Sequence, residues 1–346
     1  MKSVVWLVLD CLRFDYAERH FTELLGRLFP RWYSVAHCSD PNMCAMFTGR
    51  HPVETGVYCQ ERLDRDVEFE TYAEHVSRLG YRTFSVTLPT SPAFYRRGFD
   101  SVLHNRAGGC TTPELLTRIQ QELFSDPGTR FYGYIRLMDA HGGPYAEGSY
   151  AKAVRKLRGH VAAILQWLSR LDAAWIITAD HGEGLGQHGN RTHNWGIHEE
   201  IVHVPLYTSV DVPRAGLWQH TSMWPLSESL RDGSSGLPRS CELAQFAGIG
   251  GKKFWRKGKD VGYDGVIAFR GLRSDTGTKV IETNTGSSVD LEVYNLKKDP
   301  SEERNLAPER DWSEWRAKLC PMPPLPGKGQ EEDDLADRLR GLGYMD

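Results

Sequence analysis

The sequence predicts an α/β fold: a mostly parallel central sheet with helices on both faces, followed by a small C-terminal antiparallel sheet and a terminal helix. Three observations carry that prediction. Strand-like and helix-like segments alternate through the first two-thirds of the chain, as in parallel strands joined by crossover helices. The clearest strands, "VVWLVL" and "AAWIIT", are short apolar runs of the kind buried inside such a sheet. Three predicted strands end on an aspartate, namely Asp10, Asp139 and Asp180, and open α/β sheets bind ligands beyond the carboxyl ends of their strands.

Taken in order, "SVVWLVLD" reads as the first strand and "FTELLGRLF" as a helix with apolar residues at roughly 3.6-residue spacing. "ETYAEHVSRLG" is a helix ended by Gly80, and "YRTFSVTL" the strand behind it. In "TPELLTRIQQELF", Thr112 is placed to cap and Pro113 to open the helix. "RFYGYIRLMD" is a strand, "SYAKAVRKLRGHVAAILQWLSRL" a long amphipathic helix, and "AAWIITAD" the strand after it. From about residue 210 Gly, Ser and Pro thicken. "GIGGKKFWRKGKD" reads as a basic, glycine-rich loop, and "GVIAFRGLRSDTGTKVIETNTGSSVDLEVYNL" as short strands with turns. "PMPPLPGKGQ" is a Pro-rich linker and "EEDDLADRLRGLGY" a short helix. The division that follows is a catalytic core over 1–215, remaining core elements and a small α+β subdomain over 216–320, and linker plus helix over 321–346.

A chain of 346 residues with 40% hydrophobic content has ample material for a buried core. A net charge of −3 gives no electrostatic footprint for nucleic acid or a membrane surface. No run approaches the roughly 18 apolar residues that span a bilayer. "VVWLVL" runs straight into Asp10 with no cleavage site, unlike a signal peptide. The default expectation is a soluble, cytoplasmic protein. The seven cysteines are odd in number and contain no C-x-x-C pair, which argues against a disulfide framework or a Cys₄ zinc site.

The richest segment for chemistry is "TADHGEGLGQHGNRTHNWGIHEEIVHVPLY". It gathers Asp180, His181, Glu183, His188, His193, His198 and His203 after a predicted strand. Mixed carboxylate and imidazole donors suit Zn²⁺ or Mn²⁺, and an oxygen-rich set would suit Ca²⁺ or Mg²⁺. His203, inside an apolar run, is the member expected to belong to the core.

These segments, taken together, resemble the sulfatase branch of the alkaline phosphatase superfamily nearly end to end. "VVWLVLDCLRFDY" is similar to the family's opening strand with its metal-binding Asp. "SDPNMCAMFTGR" resembles its nucleophile motif, and "LMDAHGGPY" its Asp-x-His-x-Pro-Tyr motif with one extra glycine. "RLGYRTFSV" and "RRGFDSV" look like the helix-strand unit between them. The histidine-rich segment resembles the second metal motif, and "EVYNLKKDPSEERNLA" with "RLRGLGYMD" the C-terminal signature. Carried over by position, the resemblance implies Asp10, Ser39, Asp180 and His181 as ligands of a divalent metal. His193, His198, His188 and Asp139 are further candidates, for one or two ions per chain. Asp139 is either a ligand or a partner fixing an imidazole. The same register makes Ser39 the nucleophile at the start of a helix. His141 would hold or protonate the leaving oxygen, His193 would contact substrate or metal, and Arg50 would orient the nucleophile loop or neutralise charge.

The departures from the family pattern shape the functional expectation. The second Asp of the opening strand is Cys11, which weakens a hard calcium site. The Arg read by the formylglycine machinery is replaced by Met43, and the family's Lys-bearing segment is missing after "TFSV". The resemblance then implies hydrolysis of a phosphate mono- or diester by metal-bound Ser39, acting on a small anionic ester. The alternatives are a sulfatase with formylglycine at residue 39, a phosphotransferase, or a catalytically degenerate binding protein.

Overall fold

The computed structural model describes residues 2–60, 67–89, 91–104, 112–123, 128–141, 147–210, 216–233, 240–256 and 259–325. The chain opens with β1 (Ser3–Leu9), whose seven residues are all buried, and α1 (Phe14–Leu25). There follow β2 (Trp32–Tyr33), α2 (Ser39–Thr48), α3 (Pro52–Thr55) and α4 (Tyr72–Arg78). Helix α4 starts with a reciprocal cap: Thr71 Oγ1 accepts from the Glu74 N–H, and the Glu74 carboxylate accepts from the Thr71 N–H. Next come β3 (Arg82–Thr87), β4 (Ser101–His104), α5 (Thr112–Leu123), β5 (Phe131–Leu137), α6 (Glu147–Leu168) and β6 (Ala173–Thr178). The chain continues through α7 (Glu199–Val202), β7 (Leu206–Thr208), β8 (Trp218–Gln219) and α8 (Met223–Asp232). It closes with β9 (Leu243–Arg256), β10 (Lys259–Ser274), β11 (Thr278–Asn284), β12 (Val289–Asn295) and α9 (Ser313–Arg316).

The central sheet has the order β4-β3-β5-β1-β6-β7, parallel except for β7, which runs against β6. Strand β1 therefore lies between β5 and β6, with Val8 opposite both Arg136 and Thr178. One face carries α2, α4 and α8. Trp6 shows how: its indole stacks on Phe47 and Tyr72 and donates to Ser227 Oγ at 2.8 Å. Helices α1 and α5 each pack on α6, and the complete burial of β1 requires cover on the opposite face of the sheet.

Strands β9 to β12 form a separate antiparallel sheet in the order β12-β11-β10-β9. Its inner face meets the core through Phe246, Ile267 and Phe269 packed with Tyr33, Ile201 and Val202. The expected small C-terminal sheet is thus present, with one correction. The described residues of the segment read as a basic glycine-rich loop are strand, 248–256 at the end of β9 and 259–260 at the start of β10. The first helix also begins earlier than "FTELLGRLF" and stops at Gly26, whose φ of +82° ends it. The expected terminal helix and the second half of the Pro-rich linker, from residue 326, lie outside the described residues. Among the described residues, no helix is long and apolar enough to cross a membrane.

Candidate active site

The entry to α2, where Ser39 lies, is built by one asparagine. Asn42 Oδ1 accepts from the backbone N–H of Val35 (2.8 Å) and Ala36 (3.1 Å), and its Nδ2 donates to the carbonyls of Ala36 and Cys38, both at 2.8 Å. These bonds fold residues 35–38 into the sharp entry of α2, so that Ser39 is the first helical residue. All ten residues of α2 are buried, and Gly49 ends it in the left-handed conformation at φ +69°. Met43, which stands where the family motif has Arg, packs with its sulfur 3.6 Å from the Tyr134 hydroxyl.

Four side chains converge on the Ser39 hydroxyl or on each other. Asp10 follows β1 and Asp180 follows β6, and both are fully buried. His181 Nδ1 lies 2.8 Å from the Gly182 carbonyl oxygen, which can only accept. Nδ1 therefore carries the proton, and the Nε2 lone pair faces Ser39 Oγ at 3.3 Å. The fourth side chain is Arg136, on β5 and 4% exposed. Its Nε donates to Asp10 Oδ2 at 2.8 Å, and its Nη2 donates to the same oxygen, to Ser39 Oγ at 2.5 Å and to Asp180 Oδ2 at 3.3 Å. Burial alone would raise the Asp10 carboxyl, but the Arg136 guanidinium holds it well below the usual carboxylate range.

Beside this group lie Cys11, His141, His193 and Glu183. Cys11 has φ +60°, a conformation rare for a residue with a Cβ. Its thiol donates to Asp10 Oδ1 at 3.1 Å. Burial and then the Asp10 carboxylate push that thiol well above its ordinary range, so it keeps its proton. His193 Nδ1 sits 3.2 Å from Glu183 Oε1. Burial drives the two in opposite directions, Glu183 up to about 8 and His193 down to about 3. The His141 ring lies 5.2 Å from that of His193, and its own range is lowered by burial.

Other candidates fall elsewhere. Asp139 pairs with Lys156 at 3.0 Å and His160 at 3.1 Å, both on α6. Arg50 sits past the far end of α2, half-exposed, paired with Glu54 at 3.1 Å; it does not orient the nucleophile loop, and the charge-neutralising contact is made by Arg136. His188 and His198 stack on each other at 3.8 Å and form a separate cluster with Glu200. His203 packs between Phe14 and Tyr33 but is only partly buried and lines a cavity, so it is not a core residue. A cavity of about 290 Å³ lined by Arg13, Phe14, Gln187, Glu199 and Glu200 is formed without any of the side chains around Ser39.

The donors assigned to a metal converge, and Asp10, Cys11 and His181 bring ligand atoms within 4.8 Å of one another, but the carboxylate oxygens of Asp10 and Asp180 are already engaged by N–H and S–H donors. Asp10 Oδ1 and Oδ2 accept from Cys11 and Arg136, and Asp180 Oδ1 accepts from the backbone N–H of Cys11 (3.3 Å) and His181 (2.9 Å). Asp180 Oδ2 accepts from Arg136. A guanidinium and a dication about 4 Å apart repel by about 8 kcal/mol at an effective dielectric constant near 20. A different set, Cys11, His141 and His193, has ligand atoms within 4.8 Å of one another. Its thiol and imidazole donors fit a soft ion of the zinc type.

No protein-family model matches the chain, and no curated protein matches it by sequence. Solved structures match over nearly its whole length. A 2-O GAG sulfatase aligns with a TM-score of 0.69 at 15% identity, covering 98% of this chain and 92% of that one. The phosphonate monoester hydrolase of Agrobacterium radiobacter aligns at 0.65 and 15% identity, covering 99% and 95%. An alkaline phosphatase superfamily protein from Vibrio parahaemolyticus aligns at 0.58 and 15% identity, covering 100% and 88%. The chain has the sulfatase-like fold of the alkaline phosphatase superfamily, and its chemistry is read from the residues just described.

Proposed function

We propose that the chain hydrolyses a monoanionic oxyacid ester, a phosphate diester or phosphonate monoester in the first instance, with unmodified Ser39 as nucleophile. The observation that carries this reading is the Ser39 hydroxyl at the start of α2, accepting from Arg136 and facing the His181 lone pair. The helix N-terminus adds partial positive charge where the ester oxygens would lie. The charge count selects the substrate class. Two carboxylates and one guanidinium leave the centre at −1, which disfavours a dianionic phosphate monoester more than a monoanion.

In the proposed reaction Ser39 Oγ forms a bond to phosphorus as its proton passes to His181 Nε2. The bond to the departing oxygen breaks, and that oxygen takes a proton from solvent. Water then displaces the seryl ester, releasing its second proton to solvent while His181 returns its proton to Ser39. His141 borders the site and stabilises the charge on the departing oxygen. A soft ion held by Cys11, His141 and His193 would supply further positive charge there.

A sulfate ester with formylglycine at residue 39 is the second reading, favoured by the single charge of a sulfate monoester and by the fold shared with sulfatases. Bis-p-nitrophenyl phosphate, p-nitrophenyl phenylphosphonate, p-nitrophenyl phosphate and p-nitrophenyl sulfate assayed side by side test both. Turnover of the first two, lost in Ser39→Ala, is the expected result. Turnover that survives Ser39→Ala removes the nucleophile assignment. A Ser39 peptide lighter by about 2 Da, the mass of the two hydrogens lost on oxidation, would replace the first reading with the second.

A further inference from the structure

We propose that the Arg136 guanidinium, rather than a divalent ion, is the resident cation between Asp10, Asp180 and Ser39. The proposal draws its catalytic meaning from the assignment of Ser39 above, but its geometry stands apart from it. The position is built by strand alternation. Tyr132, Tyr134 and Arg136 occupy alternate positions of β5 and share one face. Tyr132 packs edge-on to Trp6, Tyr134 edge-on to Phe47 of α2, and Arg136 continues the row to the first residue of that helix. The side chain is buried, and its guanidinium carbon lies 5.9 Å from the centre of the Tyr95 ring.

The donor chemistry around Arg136 matches a guanidinium. Planar N–H groups reach Asp10 from Nε and Nη2 together, and Nη2 spans to Asp180 and Ser39. The position that offers a second carboxylate in the family motif is Cys11, whose thiol donates to Asp10 Oδ1 at 3.1 Å. An ion would have to displace both. With the guanidinium in place, the Ser39 proton has an acceptor that needs no metal, His181 Nε2, whose tautomer the Gly182 carbonyl fixes. Arg136 touches the reacting oxygen and is a catalytic residue on this reading.

Mn²⁺ binding followed by the free-ion electron paramagnetic resonance signal tests the proposal without any substrate, so failure to turn over an ester leaves it unaffected. Wild-type protein is compared with Arg136→Ala and Asp180→Asn. The expected result is that wild type and Asp180→Asn remove the same amount of free Mn²⁺. Arg136→Ala is expected to take up about one further equivalent, with a Tm that rises with Mn²⁺ concentration. A wild-type equivalent of Mn²⁺ that Asp180→Asn abolishes overturns the proposal. So does a folded Arg136→Ala that gains no Mn²⁺, because the guanidinium then does not stand in an ion's place. If Arg136→Ala folds only with Mn²⁺, that rescue supports the proposal; if it does not fold at all, the wild-type and Asp180→Asn comparison decides alone.

Discussion

Asn42→Ala separates the idea that α2 is aimed by one side chain from the idea that it is held by packing alone. The substitution removes four hydrogen bonds to the backbone and the 3.2 Å contact of Oδ1 with His220 Nδ1, but their consequences differ. Ala36 O keeps a second donor, Ser34 Oγ at 2.9 Å, and Cys38 O sits at the N-cap, where the first intrahelical bond is accepted. The N–H groups of Val35 and Ala36 lose their common acceptor, Asn42 Oδ1. Each orphaned buried N–H costs roughly 1–3 kcal/mol, so the loss is about 2–6 kcal/mol, with the lower half expected if water enters the space left behind. That is a large part of the roughly 5–15 kcal/mol that stabilises a typical domain. Urea unfolding followed by tryptophan fluorescence measures it. In the folded fraction of Asn42→Ala, displacement of Ser39 by about 1 Å would lower kcat by about 100-fold. An Asn42→Ala protein within about 0.5 kcal/mol of wild type, the usual range for a surface change, refutes the reasoning.

Lys279 is fully buried between Glu199 and Glu302, at 2.9 Å from each. Lys279→Met leaves those carboxylates without their shared cation and is expected to cost about 3–5 kcal/mol in urea unfolding; an unchanged midpoint refutes it. The His188–Glu200 pair at 2.8 Å supplies a pH dependence. Burial opposes the charged imidazole, but the Glu200 carboxylate raises His188 from 6.5 to about 9. Its contribution is therefore fully present below pH 6.5 and is lost as pH rises through 9, a decline on the order of 1 kcal/mol after solvent screening. Unfolding curves from pH 6 to 10 should show that decline in wild type and a smaller one in His188→Gln; equal slopes in the two proteins count against the pair.

The parallel sheet and the convergence of Asp10, Ser39, Asp180 and His181 were legible because each rests on a local signal: an apolar run, an aspartate after it, a helix start. Asp139 carried the same signal and went elsewhere. It lies two residues beyond β5, just as Asp180 lies two beyond β6, but its carboxylate is taken by Lys156 and His160 of α6. Histidine clustering likewise mixed two groups, since sequence proximity does not separate His193, beside His181, from His188 and His198. The glycines of "GIGGKK" looked like a loop, but they are close-approach positions in a strand. A Cβ on Gly248 would lie 2.8 Å from His37 Nδ1, and one on Gly250 would lie 2.2 Å from Asn194 O. Arg136 had a signal that went unread, a charged residue inside the otherwise apolar "FYGYIRL". Knowing that it shares the face of Tyr132 and Tyr134 required the partner of that face, α2.

Strand order explains why the centre takes this form. Because β1 lies between β5 and β6, Asp10 receives a neighbour from each side: an arginine from β5 and an aspartate from beyond β6. Moving Arg136 one residue along β5 would turn it to the opposite face of the sheet, leaving two buried carboxylates facing Ser39 with no cation. Such a pair is tolerated only when a counter-charge is supplied, and here the chain supplies it from its own backbone register. The choice between a guanidinium and a bound ion thus rests on which face one residue of β5 occupies.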